Sequence, residues 1–284
     1  MVIPTFYLPW KKVSDGVTYI LSDAFLRVAH TISEEGVTIP LIVNTDQTHV
    51  IYAAGASETY APKGSKQMEV VGKDEKRRFT VVVGISMSGD VLPFQLVYAG
   101  HTHHSLPTPA APEYYQATEV LKFHFESGGT NHWSTLSTMK SYVQHILVPY
   151  FEQHRENYNK TCIWQIDCWS VHRSEEFCHW MYITYPWIHI HYVPANCTGL
   201  FQPCDVGIQR VLKLAIRRSA LQDIINDTVE QLGQGIEPSM VTFEKGLPVV
   251  RNRSVKWLVN GYKAINNPDL VKNVTFKTIP IFHF

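Results

Sequence analysis

Long apolar runs are missing from this chain: none approaches the roughly 18 consecutive apolar residues that suggest a membrane-crossing helix. The N-terminus shows no basic segment followed by an apolar stretch, so no secretory signal is expected, and no membrane partner. Neither sign of charge is in excess, because 25 Lys and Arg stand against 25 Asp and Glu. That balance counts against a protein-wide basic surface and leaves any nucleic-acid binding to local patches. The five cysteines, Cys162, Cys168, Cys178, Cys197 and Cys204, form no Cys-x-x-Cys pair and are odd in number. A reducing compartment is the expectation. Repeats, low-complexity tracts and a clear linker are absent too.

What is present is the composition of an ordinary globular protein, 284 residues with 45% hydrophobic and 18% charged side chains. Phe25, Val28, Ala29 and Ile32 recur at helical steps, so residues 1–40 read as a helical lead-in. Residues 40–46 form a short apolar run that ends in a carboxylate. Two strand-like runs, 79–86 and 91–98, flank Ser88-Gly89-Asp90, a hairpin signal. The His- and Pro-rich stretch 101–112 reads as a loop, 134–156 as helix, 161–167 as strand and 174–185 as helix. Residues 187–193 alternate with the period of a strand, and 205–232 form a long helix. The tail is mixed, with a helix around 253–265. This order predicts an α/β fold with a mixed sheet flanked by helices, of the ribonuclease H-like kind. The predicted organisation is the lead-in, a main domain over 41–232, and an extension over 233–284 packed on the same domain.

Three aspartates stand out. Asp46 and Asp167 end apolar, β-favouring runs, and Asp205 opens a basic helical segment after Pro203. A carboxylate at such a place is costly to bury unpaired, so each needs a partner or a metal. Brought together, three hard oxygen ligands make a site for Mg²⁺ or Mn²⁺ and for phosphoryl-transfer chemistry.

Several segments resemble one family: Asn44-Thr45-Asp46-Gln47-Thr48, Lys76-Arg77-Arg78-Phe79-Thr80, Gly89-Asp90-Val91-Leu92-Pro93, and Ile166-Asp167 with His172 five residues on. The most specific is the stretch from Val193 to Gly207, with Pro194-Ala195-Asn196-Cys197-Thr198 and Gln202-Pro203-Cys204-Asp205. Together they resemble the DDE superfamily endonuclease domain of pogo/Tigger-type transposases in the Tc/mariner superfamily, to which the domesticated centromere-protein-B-like proteins are related. The resemblance runs from about residue 20 to about residue 220. It implies a ribonuclease H-like fold, DNA as substrate, and a catalytic metal site of Asp46, Asp167 and Asp205, the last two 205 − 167 = 38 residues apart. Pogo-type enzymes often have Asn directly after the second Asp, where this chain has Cys168. The family's N-terminal helix-turn-helix region is not evident before Asp46.

Strand cleavage and joining are in-line displacements at phosphorus, which two metal ions roughly 3.5–4 Å apart assist at the attacking and leaving oxygens. The candidate DNA contacts are basic clusters. Lys63, Lys66, Lys73, Lys76, Arg77 and Arg78 against Glu69, Asp74 and Glu75 give a local charge of +3. Arg210, Lys213, Arg217 and Arg218 follow Asp205 at spacings that put several on one helix face. Lys245, Arg251, Arg253 and Lys256 form a third group. His101, His103 and His104 lack partners at zinc-site spacing and read as a polar loop; His189 and His191 share one strand face. His172 is a candidate to orient a ligand or a phosphate. Two rival readings remain open: a domesticated, catalytically silent nucleic-acid-binding protein with the same fold, and a metal-dependent hydrolase of small phosphoesters. A homodimer is left open as an assembly, and a nuclear location is expected although no targeting signal is read.

Overall fold

The computed structural model describes residues 15–52, 77–157 and 159–278. In chain order these are α1 (Asp15–Glu35), β1 (Ile42–Ile51), β2 (Arg78–Ser86), β3 (Gln95–Tyr98), β4 (His124–Ser127), α2 (Leu136–Tyr142), α3 (Val148–His154), β5 (Cys162–Asp167), α4 (Glu175–Thr184), β6 (Ile188–Val193), α5 (Thr198–Phe201), α6 (Gln209–Gly233), α7 (Leu247–Ile265) and α8 (Pro268–Thr278).

The strands form one sheet in the order β4-β3-β2-β1-β5-β6. β1, β2 and β3 run antiparallel in succession, whereas β5 lies parallel to β1, and β6 parallel to β5. An antiparallel meander followed by parallel strands on the far side of the first strand is the ribonuclease H-like arrangement expected from the sequence. Side chains that alternate along β2 feed two cores. Phe79, Val81, Val83 and Ile85 pack with Leu212 and Ile216 of α6, Leu258 and Tyr262 of α7, and Val271 and Val274 of α8. Val82 faces the other way, with Met139, Tyr142, Leu147 and Phe151 of the α2–α3 segment and Phe177 of α4. In α1, Phe25 meets Val193 and Phe201, so the lead-in helix closes over β6.

Three local readings are corrected. The second hairpin strand begins only at Gln95, with an isolated bridge from Val91 to Ile85 before it. Pro93 has no N–H to donate, and the ladder is interrupted there. The helix expected over 134–156 is two α-helical pieces joined by a π-helical stretch, Val143–Leu147. Pro149 enters the second piece, and the wider turn before it accommodates a residue that cannot continue an i→i−4 ladder. Strand β4 and helix α8 were not foreseen. The four residues of β4 are all half-buried and show no alternation. α8 packs close to Gly207, where a Cβ would come within 2.4 Å of a Val274 methyl.

Candidate active site

Asp46 does not end its strand: β1 continues to Ile51, held by pairing with β2 as far as Arg78. Its side chain shares the face of Asn44 and Thr48. The parallel register aligns Asn44 with Gln165. Two residues further along the two strands stand Asp46 and Asp167, on the same face by the two-residue period. Asp167 closes β5, as expected. Asp205 lies in a π-helical turn, Cys204–Ile208, that leads directly into α6. Such turns recur at functional sites.

Buried amides lock these elements together. The Asn44 side chain donates to the Gln165 carbonyl at 3.2 Å and to Gln165 Oε1 at 3.3 Å. Its own Oδ1 accepts the Cys204 N–H at 3.0 Å. Gln202 Nε2 donates to the Thr45 carbonyl, and Gln165 Nε2 to that of Phe201, each at 3.4 Å. The loop before Asp205 is thereby tied to β1 and β5. Each amide group is almost wholly inaccessible, so losing a partner would leave a buried polar atom unsatisfied, at about 1–3 kcal/mol.

The carboxylates meet unevenly. Burial holds the Asp46 carboxyl well above the usual range; the charge of Asp205 and hydrogen-bonding contact with its carboxyl push it further, and Asp167 adds a smaller push. Against this, the Gln47 N–H donates to Asp46 Oδ1 at 2.8 Å. Gln209 Nε2, one turn beyond Asp205, donates to Asp46 Oδ2. Asp167 is turned aside. His172, only 3% exposed, meets Asp167 Oδ1 through Nδ1 at 2.8 Å, while the Asp167 side chain is 36% exposed. The other imidazole nitrogen faces Gln47 Nε2 at 3.4 Å. An amide nitrogen can only donate, which assigns Nε2 as acceptor and Nδ1–H as the donor to Asp167.

As the side chains stand, no group of three or more His, Cys, Asp or Glu among the described residues is arranged to hold a metal ion. The arrangement is two plus one: Asp46 and Asp205 in contact, Asp167 near enough to be felt but bonded to His172. The donor set still suits a hard divalent cation. Two abutting carboxylates that resist joint ionisation are relieved by positive charge between them, and all three donors are oxygens.

The basic clusters fare differently. Lys63, Lys66, Lys73 and Lys76 lie outside the described residues, while Arg78 is exposed at the start of β2 and Arg77 is half-buried before it. Arg210, Lys213 and Arg217 are exposed on α6 at steps that share one face. Arg218 points away, lining a groove with Val211, Leu214 and Asn260. Three of the four charges in the third group are already engaged, and Lys245 alone of it stands exposed. Arg251 is buried with its guanidinium on the His104 carbonyl, Arg253 pairs with Asp227 at 2.7 Å, and Lys256 with Asp223 at 3.1 Å. The side chains of His101, His103 and His104 are exposed. His191 packs on α1 through Thr31 at 3.1 Å, and burial pushes it down to about 4.

Sequence reasoning assigned no role to Gln209, Gln165 or Asn44. The available signals were polar amides inside β-like runs and the four-residue step from Asp205 to Gln209.

The sequence matches the DDE superfamily endonuclease model over residues 76–272, most of the chain, and the chain belongs to that family. No curated protein matches it. Among solved structures, the Mos1 transposase paired-end complex with left transposon end is similar at 10% identity and a TM-score of 0.46, over 100% of this chain and 68% of that one. The Mos1 mariner paired end complex with Mn gives 9% and 0.48, again over 100% and 68%. The catalytic domain of Mos1 mariner transposase gives 10% and 0.41, over 98% of this chain and 100% of its own.

Proposed function

We propose that this chain cleaves and joins DNA strands at Asp46, Asp167 and Asp205, using one or two Mg²⁺ or Mn²⁺ ions. The observation that carries the reading is the contact between the Asp46 and Asp205 carboxyls, with Asp167 two residues past the same strand register. When bound, the cations would supply Lewis-acid polarisation of the phosphate and charge stabilisation at the attacking and leaving oxygens. The chain's own residues position. Gln209 and the Gln47 N–H fix both oxygens of Asp46. His172 sets the direction of Asp167. Burial of Asp46 between β1 and the loop before α6 keeps water from competing for its carboxyl. Arg210, Lys213 and Arg217, starting one turn beyond Asp205, would take backbone phosphates, giving salt-sensitive binding that is indifferent to sequence. A nuclear location and a homodimer belong to the same reading, to be checked by imaging a tagged chain and by sedimentation.

One observation favours the rival, a catalytically silent nucleic-acid-binding protein: the engagement of Asp167 by His172 instead of by the other two carboxylates. A nicking assay on supercoiled plasmid separates the two. Cleavage that needs Mg²⁺ or Mn²⁺ and disappears in Asp46→Asn, Asp167→Asn and Asp205→Asn supports catalysis. Cleavage that persists in chelator refutes the three-carboxylate mechanism, and DNA binding with no cleavage under any metal supports the silent protein.

A further inference from the structure

Trp133 leaves 46% of its surface exposed, yet its ring is firmly set. The His49 ring meets it edge-on, with centroids 4.4 Å apart and planes at 82°. His132 lies nearly parallel to it at 5.4 Å and touches His49 at 5.1 Å. The support beneath is hydrogen-bonded. Thr80 Oγ1 donates to the His132 carbonyl at 2.6 Å, so it accepts from His49 Nδ1 at 3.1 Å. Asn131 Oδ1 accepts the Trp133 N–H at 2.9 Å and closes the turn. Burial first, then His132, Arg78 and Lys213, push His49 down, so the imidazole behind the indole is neutral at physiological pH.

The position of this three-ring shelf matters as much as its rigidity. His49 is three residues along β1 from Asp46, roughly 10 Å at about 3.3 Å per residue, and that odd step turns it to the face of the sheet opposite the Asp46 carboxyl. Thr80 is paired with His49 across the ladder, and Arg78, two residues earlier, shares its face. Lys213 comes from α6, one turn beyond Gln209, which bonds Asp46. An indole nearly half exposed to solvent, with cations beside it, suits a flat, polar-edged ring carrying phosphates on both sides. A lipid surface would call for apolar neighbours in place of His49, His132, Arg78 and Lys213.

We propose that Trp133, backed by His49 and His132, is a stacking shelf for an unpaired nucleobase of the DNA strand that this chain binds. Arg78 and Lys213 receive the neighbouring phosphates. The proposal rests on the DNA-cleaving reading, and its test keeps the two apart. Fluorescence anisotropy in chelator, so that nothing is cut, compares the full chain with Trp133→Ala and Trp133→Phe. Each is titrated with a dye-labelled single strand and with the same backbone carrying abasic sites throughout. Stacking of one base corresponds to roughly a 5- to 150-fold effect on affinity. Trp133→Ala should weaken binding to the intact strand by that order and leave the abasic strand unaffected, while Trp133→Phe keeps most of the affinity. Equal weakening on both strands, or none on either, overturns the shelf while DNA binding by the wild type still stands. Absence of wild-type binding to either strand overturns the shelf and the DNA reading together.

Discussion

Replacing Asp46 by Asn should make the protein more stable while abolishing any metal-dependent cleavage. In the folded chain the Asp46 carboxyl is buried and abuts Asp205, which raises its pKa. Two unit charges about 4 Å apart repel by roughly 4 kcal/mol at an effective dielectric of about 20. That figure is a ceiling, since a proton retained by the pair removes most of the repulsion, and a gain on the order of 1–2 kcal/mol is expected. For a domain of this size, that corresponds to a rise in Tm of roughly 2–8 °C. The amide keeps the bond from the Gln47 N–H, its NH₂ can donate to Asp205, and Gln209 need only turn its own amide to present oxygen. The pH dependence follows from linkage. An acid whose folded pKa is raised loses its proton more readily when unfolded, so wild-type stability falls as pH rises above the ordinary Asp value of about 3.9 until Asp46 itself ionises. The difference between variant and wild type should therefore be smallest in acid and widen toward neutral pH. Millimolar Mg²⁺ should then raise the wild-type Tm alone and narrow the gap. Differential scanning calorimetry across pH, with and without Mg²⁺, reads all of this. A variant that melts lower at neutral pH, or a gap largest in acid, would refute the account of the carboxylate pair.

Two further outcomes are expected. His172→Ala should reduce Mn²⁺ affinity, measured calorimetrically, by about 10- to 100-fold, the usual effect of removing a residue that orients a ligand. His172→Asn, whose amide nitrogen can stand where Nδ1 stood, should recover much of it, and no difference between the two would remove His172 from the site. Reversing Lys213 and Arg217 to Glu should weaken binding to all DNA sequences alike and flatten its salt dependence, whereas Arg253→Ala should do neither, because Arg253 is already paired with Asp227. Anisotropy titrations over a range of salt decide between these outcomes.

Local pattern made much of this protein legible before any coordinates. The alternation over 187–193, the helical spacing from Phe25 to Ile32 in the lead-in read over 1–40 and the long helix read over 205–232 each depend on residues close in sequence; the described residues show β6 and α1 there, and α6 from Gln209 after a π-helical turn, while residues 1–14 of the lead-in lie outside them. The motif around Asp205 carried the family in the same way. Pro93 and Pro149 were visible too, yet their consequences, a shortened strand and a π-helical turn, depended on which backbone groups needed partners in the fold. What pairs across the chain was not readable. Asp46 sits in the middle of its strand because β2 extends to Arg78, and it meets Asp205 because Asn44, Gln165 and Gln202 tie three distant segments together. Arg253 and Lys256 counted toward a patch only until α6 supplied Asp227 and Asp223. Sequence alone determined most of the strands and helices, though not β4 or α8, and singled out the three aspartates, because propensity and periodicity act over a few residues. Tertiary structure decided the two-plus-one arrangement of the carboxylates, the surviving basic face and the cluster of rings around Trp133, because register, burial and charge pairing join residues from tens to more than a hundred positions apart.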